Sequence, residues 1–544
     1  MSAPPRIPIG QLPSLDTDAL LEHTKMLSSD EFEGRAPGTK GEELTVTYLA
    51  DQFKKFGLRP GNTDGTYFQT VPLVGITPTP APLTFKKGAN THTLKWKDDV
   101  VAWTKHVADS ASINESELVF VGYGVVAPEF NWDDYKGLDV KGKTLVMLVN
   151  DPPVSDPSNP AELDAKTFGG KAMTYYGRWT YKYEMAAQKG AAGALIIHET
   201  VPAGYGFNVI QGKVGEQFDL VTPDKNMSRV AVEGWVTLDQ AKQLLKTAGQ
   251  DFDALKQQAA TRDFKPVPLG VNMSLTLRND VQKKQTANVI GKLPGRDPIL
   301  GKQAVLYTAH HDHLGMREAT KPGEDVIYNG ARDNASGVAA VLAIARAMKA
   351  LPQAPRRTIL FAAVAGEEQG LLGSGYLAAH PPAPIGLLAA NINIDELGIW
   401  GKTRDMIMIG KGKSTLDTVV EAIAAAQGRR HIVGDQNPDK GFFYRSDQFN
   451  LAKRGVPAAY LESGVEVVGK PEGWGAAQHA KYEETDYHQP SDELRPDWDF
   501  SGAVEDAQFL FYLGVKVAEG KNMPSWNPGD EFEAARKKAL AETP

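Results

Sequence analysis

From Ala287 onward, short β-rich apolar runs alternate with stretches of helical periodicity. That alternation constrains the fold more than any other feature of the chain. The runs are Ala287–Gly291, Ala304–Ala309, Thr358–Val364, Leu388–Asp395, Asp405–Ile409 and Ala458–Glu462. The helical stretches between and after them are Asn334–Ala350, Gly373–Ala379, Ser414–Gln427 and Gly502–Ala518. Continuous apolar runs are buried on both faces, which a strand achieves inside a sheet covered by helices. The expected fold class is α/β, with a mixed, mostly parallel sheet flanked by helices. Functional groups in such sheets collect at the carboxyl ends of the strands.

The earlier part of the chain reads differently. Asp16 to Met26 and Gly41 to Phe56 carry apolar residues at helical spacing, and Gly57 is placed to end the second helix. Between them lies a turn-rich loop, Ser29 to Gly41. From Ala108 the texture becomes β-rich, with runs at Glu117–Val126, Lys143–Val149 and Gly193–His198 and a helical stretch at Tyr183–Gly190. Up to about Gln285 no His, Asp and Glu gather in a catalytic pattern, and His106 and His198 read as structural. The expected domains are therefore 1–107, an insert at 108–285, and 286–544 with the functional residues.

Composition narrows the chemistry. There is no cysteine, so a metal site here must use His, Asp and Glu, a donor set that suits zinc, manganese or cobalt. A net charge of −8 and a pI near 5.8 argue against nucleic acid as a partner. No apolar run is long enough to span a membrane. The start, Met1-Ser-Ala-Pro-Pro-Arg6, lacks the basic-then-apolar pattern of a signal peptide. Either the chain is cytoplasmic or a signal has been removed.

Five places at or near strand ends carry metal-type donors. The run Ala304–Ala309 leads into His310-His-Asp-His313, three of the chain's 11 histidines. In His310-x-Asp312 both side chains point to the same side of an extended backbone, so the imidazole can bind metal while the carboxylate orients it. Asp333 precedes a long helix, where it also has the makings of a plain N-cap. Glu367 and Glu368 follow Thr358–Val364; adjacent carboxylates repel unless a cation is close. Asp395 ends a very apolar run, and a buried charge needs a partner. His488 sits in a turn before Gly502–Ala518. This set suffices for two metals sharing one carboxylate, with a glutamate left over as base. Two metals about 3.5–4 Å apart would lower the pKa of a bridging water and clamp the transition state.

These motifs resemble the M28 family of dinuclear zinc peptidases, which includes bacterial leucyl-type aminopeptidases. The matching stretches are Ala309-His-His-Asp-His-Leu-Gly315, Gly330-Ala-Arg-Asp-Asn-Ala-Ser-Gly337, Gly366-Glu-Glu-Gln-Gly370, Asn393-Ile-Asp395 and Tyr487-His488. The insert resembles a protease-associated (PA) domain. The resemblance implies that Asp333 bridges two Zn2+, with Mn2+ or Co2+ as substitutes. His310 and Asp395 complete one ion, and Glu368 and His488 the other. It implies Glu367 as general base, Asp312 as the residue orienting His310, and Tyr487 as an oxyanion donor. Arg445 matches a residue near the substrate amine. Two departures stand out: Gln448 replaces a histidine in Ser446-Asp447-Gln448, and Glu396 follows Asp395 where many members have methionine. Glu396 is read as a second substrate contact.

The implied activity is a metallo-aminopeptidase acting on peptides with a free amino end, and a periplasmic or secreted location goes with the resemblance. A carboxypeptidase of the same fold is the first alternative, but only about fifty residues follow His488, too few for the helical domain of that group. A glutaminyl cyclase-like single-zinc enzyme is the second, and the full ligand set speaks against it.

Overall fold

A computed structural model describes residues 12–212, 215–427 and 431–543; the start Met1–Arg6, read above for a signal pattern, lies outside them. The chain forms two compact units. One comprises Met1–Val71, Gln285–Gln436 and Arg445–Pro544, the other Pro72–Lys284 and Asn437–Tyr444.

Four parallel strands form the centre of the first unit: β1 (Ala304–His310), β2 (Thr358–Val364), β3 (Leu388–Asn393) and β4 (Ala458–Ser463). β1 lies between β2 and β3, and β4 lies beyond β3. The register sets His310 beside Val364, Thr308 beside Asn393, and Asn393 beside Tyr460, so the carboxyl ends come out level. Outside β2, residues 289–293 of the strand Val267–Leu293 add antiparallel, followed by Arg59–Pro60. Outside β4, Asp405–Ile409 adds antiparallel and His431–Gly434 pairs with it. Every residue of β1, β2 and β3 is buried, as their unbroken apolar runs require.

Helices cover this sheet. In α1 (Gly337–Lys349) eleven residues are buried, and the repeated alanines let it lie close against the strands. α2 (Trp474–Thr485) and α3 (Ser501–Glu519) follow β4, and α3 places Phe509, Leu510 and Leu513 in the same core as Val305, Leu342 and Phe361. Each such side chain contributes about 1.5–3 kcal/mol on burial. Before the sheet come Thr17–Leu27, capped by Asp16, and Lys40–Lys55, capped by Thr39 and ended by Gly57 at φ 74.

Two local details differ from the sequence reading. α1 begins at Gly337 rather than Asn334, because Ala331–Ser336 is an irregular turn with Asp333 at φ −104 and ψ 97. The N-cap is Ser336, so Asp333 is not a capping residue. β3 ends at Asn393, leaving Asp395 two residues beyond the last ladder position.

The second unit has its own sheet. Ser110–Phe120, Thr144–Leu148, Gly193–His198 and Val232–Thr237 run parallel in that order, and Val100–Trp103 pairs antiparallel with the last. Residues 267–278 run antiparallel to Ser110–Phe120. The unit starts at Pro72, ahead of the texture change at Ala108. Strands Leu83–Lys87 and Val100–Trp103 pair with others of this unit, so the change at Ala108 marks a loop inside it. His106 and His198 each face a main-chain carbonyl: His106 Nε2 lies 2.8 Å from Arg229 O, and His198 Nε2 lies 3.0 Å from Tyr205 O.

Candidate metal centre

The level carboxyl ends of β1, β2 and β3 bring four separate segments together around Asp333. His310 closes β1, and its Nε2 is 3.3 Å from Asp333 Oδ1 and 3.1 Å from Asp395 Oδ1. On the other side, His488 Nε2 is 3.2 Å from Asp333 Oδ2 and 3.1 Å from Glu368 Oε2. Two triangles therefore share Asp333, one oxygen each. A zinc ion with tetrahedral bonds of about 2.0–2.1 Å sets adjacent donor atoms about 3.3 Å apart, close to the nitrogen–oxygen spacings of His310 and His488. His488 Nε2, both ring nitrogens of His313 and Glu368 Oε1 are buried without a hydrogen-bond partner, as ligand atoms facing a cation would be.

The electrostatics agree with a cation site. Burial opposes charge on His310, yet Asp395 and Asp333 hold its imidazole well above the usual range. His488 is likewise pushed up, to about 11, against burial, by Glu368 and Asp333. Burial disfavours the Asp333 anion, but His310 and His488 keep it well below the usual carboxylate range. The carboxylates thus draw positive charge onto the two rings, and divalent cations would answer the same field.

His313 belongs to a different relation. It is fully buried, and its Nδ1 lies 2.7 Å from Glu368 Oε1. His313, Asp333 and Glu368 also present ligand atoms within 4.8 Å of one another, so His313 is a further candidate donor beside His488. His311 packs with Nε2 2.9 Å from Ala287 O.

Glu367 stands in the turn after β2. Burial, then repulsion from Glu368, Asp395 and Asp447, push its carboxyl well above the ordinary value, although His310 opposes this. Asp312 secures the turn: its two carboxylate oxygens accept the N–H groups of Glu367 (3.1 Å) and Glu368 (3.3 Å). His310 Nδ1 therefore finds the carbonyl of Asp312 at 3.2 Å, with the carboxylate farther away at 3.8 Å. The same residue still meets the ring, through main chain rather than side chain.

Glu396 is paired. Its Oε2 lies 2.9 Å from Arg332 Nη2, and Arg332 is sandwiched between the rings of Tyr482 and Trp400 at 4.3 and 4.8 Å. Tyr487 stacks on His488 with ring centroids 3.9 Å apart, and Arg445 is exposed.

Several supporting residues escaped the sequence reading. Asp492 is fully buried and accepts the N–H groups of Arg332 and Asp333 and the hydroxyl of Tyr482, all at 3.1 Å. Between Ser491 and Glu493 it reads as a surface residue. Ser446 Oγ donates to Asp395 Oδ2 at 2.5 Å, and Asn393 Nδ2 donates to Ser446 Oγ and to Gln448 Oε1. Gln448 thus anchors the chain of hydrogen bonds behind Asp395. Alternate polar residues in the apolar run Asn391-Ile-Asn-Ile were the available signal.

Comparison with known proteins follows the same residues. Residues 288–511 match the model of Peptidase family M28. A 49-residue stretch is 57% identical to a probable zinc metalloprotease of Leptosphaeria maculans, covering 9% of this chain and 11% of that protein. A longer stretch of 152 residues is 30% identical to a probable zinc metalloprotease of Pyrenophora teres f. teres, covering 27% and 26%. The chain thus spans about a tenth to a quarter of the length of these curated relatives. Among solved structures, an aminopeptidase from Aneurinibacillus sp. strain AM-1 is 19% identical over 94% of this chain and 96% of its own, with a TM-score of 0.48. A zinc aminopeptidase from Bacillus subtilis is 17% identical over 94% and 97%, with a TM-score of 0.44.

Proposed function

We propose, from the premise that residues 288–511 form a Peptidase family M28 domain, that this chain is a zinc-dependent aminopeptidase. It hydrolyses the N-terminal bond of peptides with a free amino end, at a dinuclear centre. The observation that carries this reading is that His310 Nε2 and His488 Nε2 each lie 3.1–3.3 Å from a different oxygen of Asp333 and from a second carboxylate. His310, Asp333 and Asp395 would hold one zinc ion, and His488, Asp333 and Glu368 the other. When bound, the ions supply a Lewis acid for the scissile carbonyl and lower the pKa of water.

The remaining work falls to side chains. Glu367, held above the ordinary carboxylate range by burial, accepts a proton from the attacking water and delivers it to the leaving amine. Asp312 fixes the main chain of Glu367 and Glu368 and the ring of His310. Tyr487, with its ring stacked on His488, offers its hydroxyl to the oxygen that gains charge. Glu396 and Arg445 contact the amino end of the substrate. The side chain of Glu396 keeps 24% of its surface exposed despite its partner Arg332. The unit Pro72–Lys284 is assigned as the PA-like insert.

The test is metal content together with a panel of aminoacyl-4-nitroanilides, on wild type and Glu367→Ala. Two zinc per chain, cleavage by the wild type, and loss of rate with zinc retained in the variant are the expected results. One zinc per chain, or action only on blocked or carboxyl-end substrates, would overturn the reading.

A further inference from the structure

The turn Asp30–Arg35 ends in a residue with no part in the ligand set. Arg35 is 1% exposed and has a positive φ of 54. Its guanidinium makes four hydrogen bonds, and every acceptor is a main-chain carbonyl. Nε donates to His311 O at 2.9 Å, Nη1 to Leu27 O and Asn329 O at 2.6 Å each, and Nη2 to Gly330 O at 3.0 Å. Among the described residues no carboxylate pairs with it. Burying a cation on carbonyls alone is costly, so its placement calls for a reason.

The identity of those carbonyls supplies one. His311 directly follows His310, while Asn329 and Gly330 open the turn that presents Asp333. One planar fork therefore spans the main chain of two segments that each deliver a donor to the same triangle. The surrounding contacts press the segment into place. A Cβ on Gly34 would lie 2.4 Å from Gly315 O and 2.5 Å from Tyr328 O, so the turn seats directly on that backbone. Asn329 Nδ2 in return donates to Ser28 O and Asp30 Oδ1, both at 2.9 Å. Burial lowers Arg35 only to about 10, so it stays charged at neutral pH.

We propose that Arg35 is a positioning residue of the metal centre, tying the strand end at His310 to the turn at Asp333 and so fixing the spacing of two ligands. This rests on the dinuclear reading above. Lysine could keep the charge but offers no planar fork, and methionine keeps neither. Outer partners of metal ligands typically carry 10–100-fold in metal affinity.

The experiment measures zinc affinity by chelator competition, and the visible spectrum of the cobalt-substituted protein, for wild type, Arg35→Lys, Arg35→Met and Arg357→Lys. Arg357 is the control. It is also fully buried and donates to Val517 O and Gly520 O at 2.7 Å, but it precedes β2 at the amino end of that strand. The expected result is a zinc affinity about 10–100-fold lower and a changed cobalt spectrum in the Arg35 variants only. Arg35→Lys retains most of the volume and carries the test if Arg35→Met does not fold. Unchanged affinity in a folded Arg35→Lys would overturn the proposal. So would equal zinc loss in Arg357→Lys, which would make the effect one of general stability. A wild type that binds no zinc would instead remove the dinuclear reading, and the role of Arg35 with it.

Discussion

The two units both bury charge, but differ in how it is answered. In the second unit, Lys182 and Asp134 are each met by fixed local groups, while Asp219 and Glu233 are buried around Arg229. Lys182 is fully buried and donates to the carbonyls of Tyr123 at 2.7 Å and Asn150 at 3.1 Å. Asp134 accepts Val125 N–H and Trp132 Nε1 at 2.9 and 2.8 Å. In the first unit, one group of charges is buried together at the carboxyl end of the sheet and its members face one another: Asp333, Glu368 and Asp395 against His310 and His488. Isolated buried charges with satisfied partners build a scaffold. Clustered ones, whose partners are also ionisable, leave room for a cation and for proton transfer.

The largest effect that would sharpen this contrast lies at the base. Glu367→Gln is expected to lower kcat by roughly 10²–10⁴-fold while zinc content and melting temperature stay at wild-type values. A variant that instead loses zinc would place Glu367 among the ligands. Next comes a ligand. His488→Ala should leave one zinc per chain, read by mass spectrometry of the dialysed protein, because the triangle of His310 and Asp395 keeps all its members. Loss of both ions would mean the two triangles do not act separately.

The second unit should answer in stability alone. Lys182→Met strands carbonyls in a dry interior and is expected to cost roughly 1–3 kcal/mol in urea unfolding, with zinc content unchanged. A drop in zinc would break the distinction between the units. The smallest effect concerns Glu42, buried on Lys40–Lys55, whose carboxyl burial pushes up from 4.5 to about 8. A raised folded pKa means the folded chain favours the neutral form. The associated stability is complete below about 4.5 and drains away as pH climbs through about 8. Glu42→Gln is neutral throughout, so its stability relative to wild type should improve between pH 5 and pH 9. A gap that stays constant over that range would show that Glu42 is ionised in the folded protein.

Much of the fold was readable because its signals are local. Unbroken apolar runs at Val305, Ile359 and Ala389 mark strands buried on both faces, and the donors stand where those runs stop. α2 was not readable: of its twelve residues only Gly475 and Tyr482 are buried, so Trp474-Gly-Ala-Ala-Gln-His has no apolar stripe to detect. The Glu396–Arg332 pair was equally hidden. Each residue sits beside a metal-type donor and invites a substrate role, and only the fold brings them within 2.9 Å. Arg35, and Asp492 apart from its bond with the Tyr482 hydroxyl, act on main-chain groups, which every residue has, so no pairing of side-chain types betrays them.

The strands Phe68–Pro80 and Val267–Leu293 each run through a boundary between units, at Val71/Pro72 and Lys284/Gln285. Proteases cut at exposed loop tips and frayed segments, and a bond inside a paired strand is shielded from them. Limited digestion should therefore trim loops and leave these two strand junctions whole. A gene fragment ending at either junction would begin or finish on a raw strand edge, the kind of edge that draws chains into aggregates.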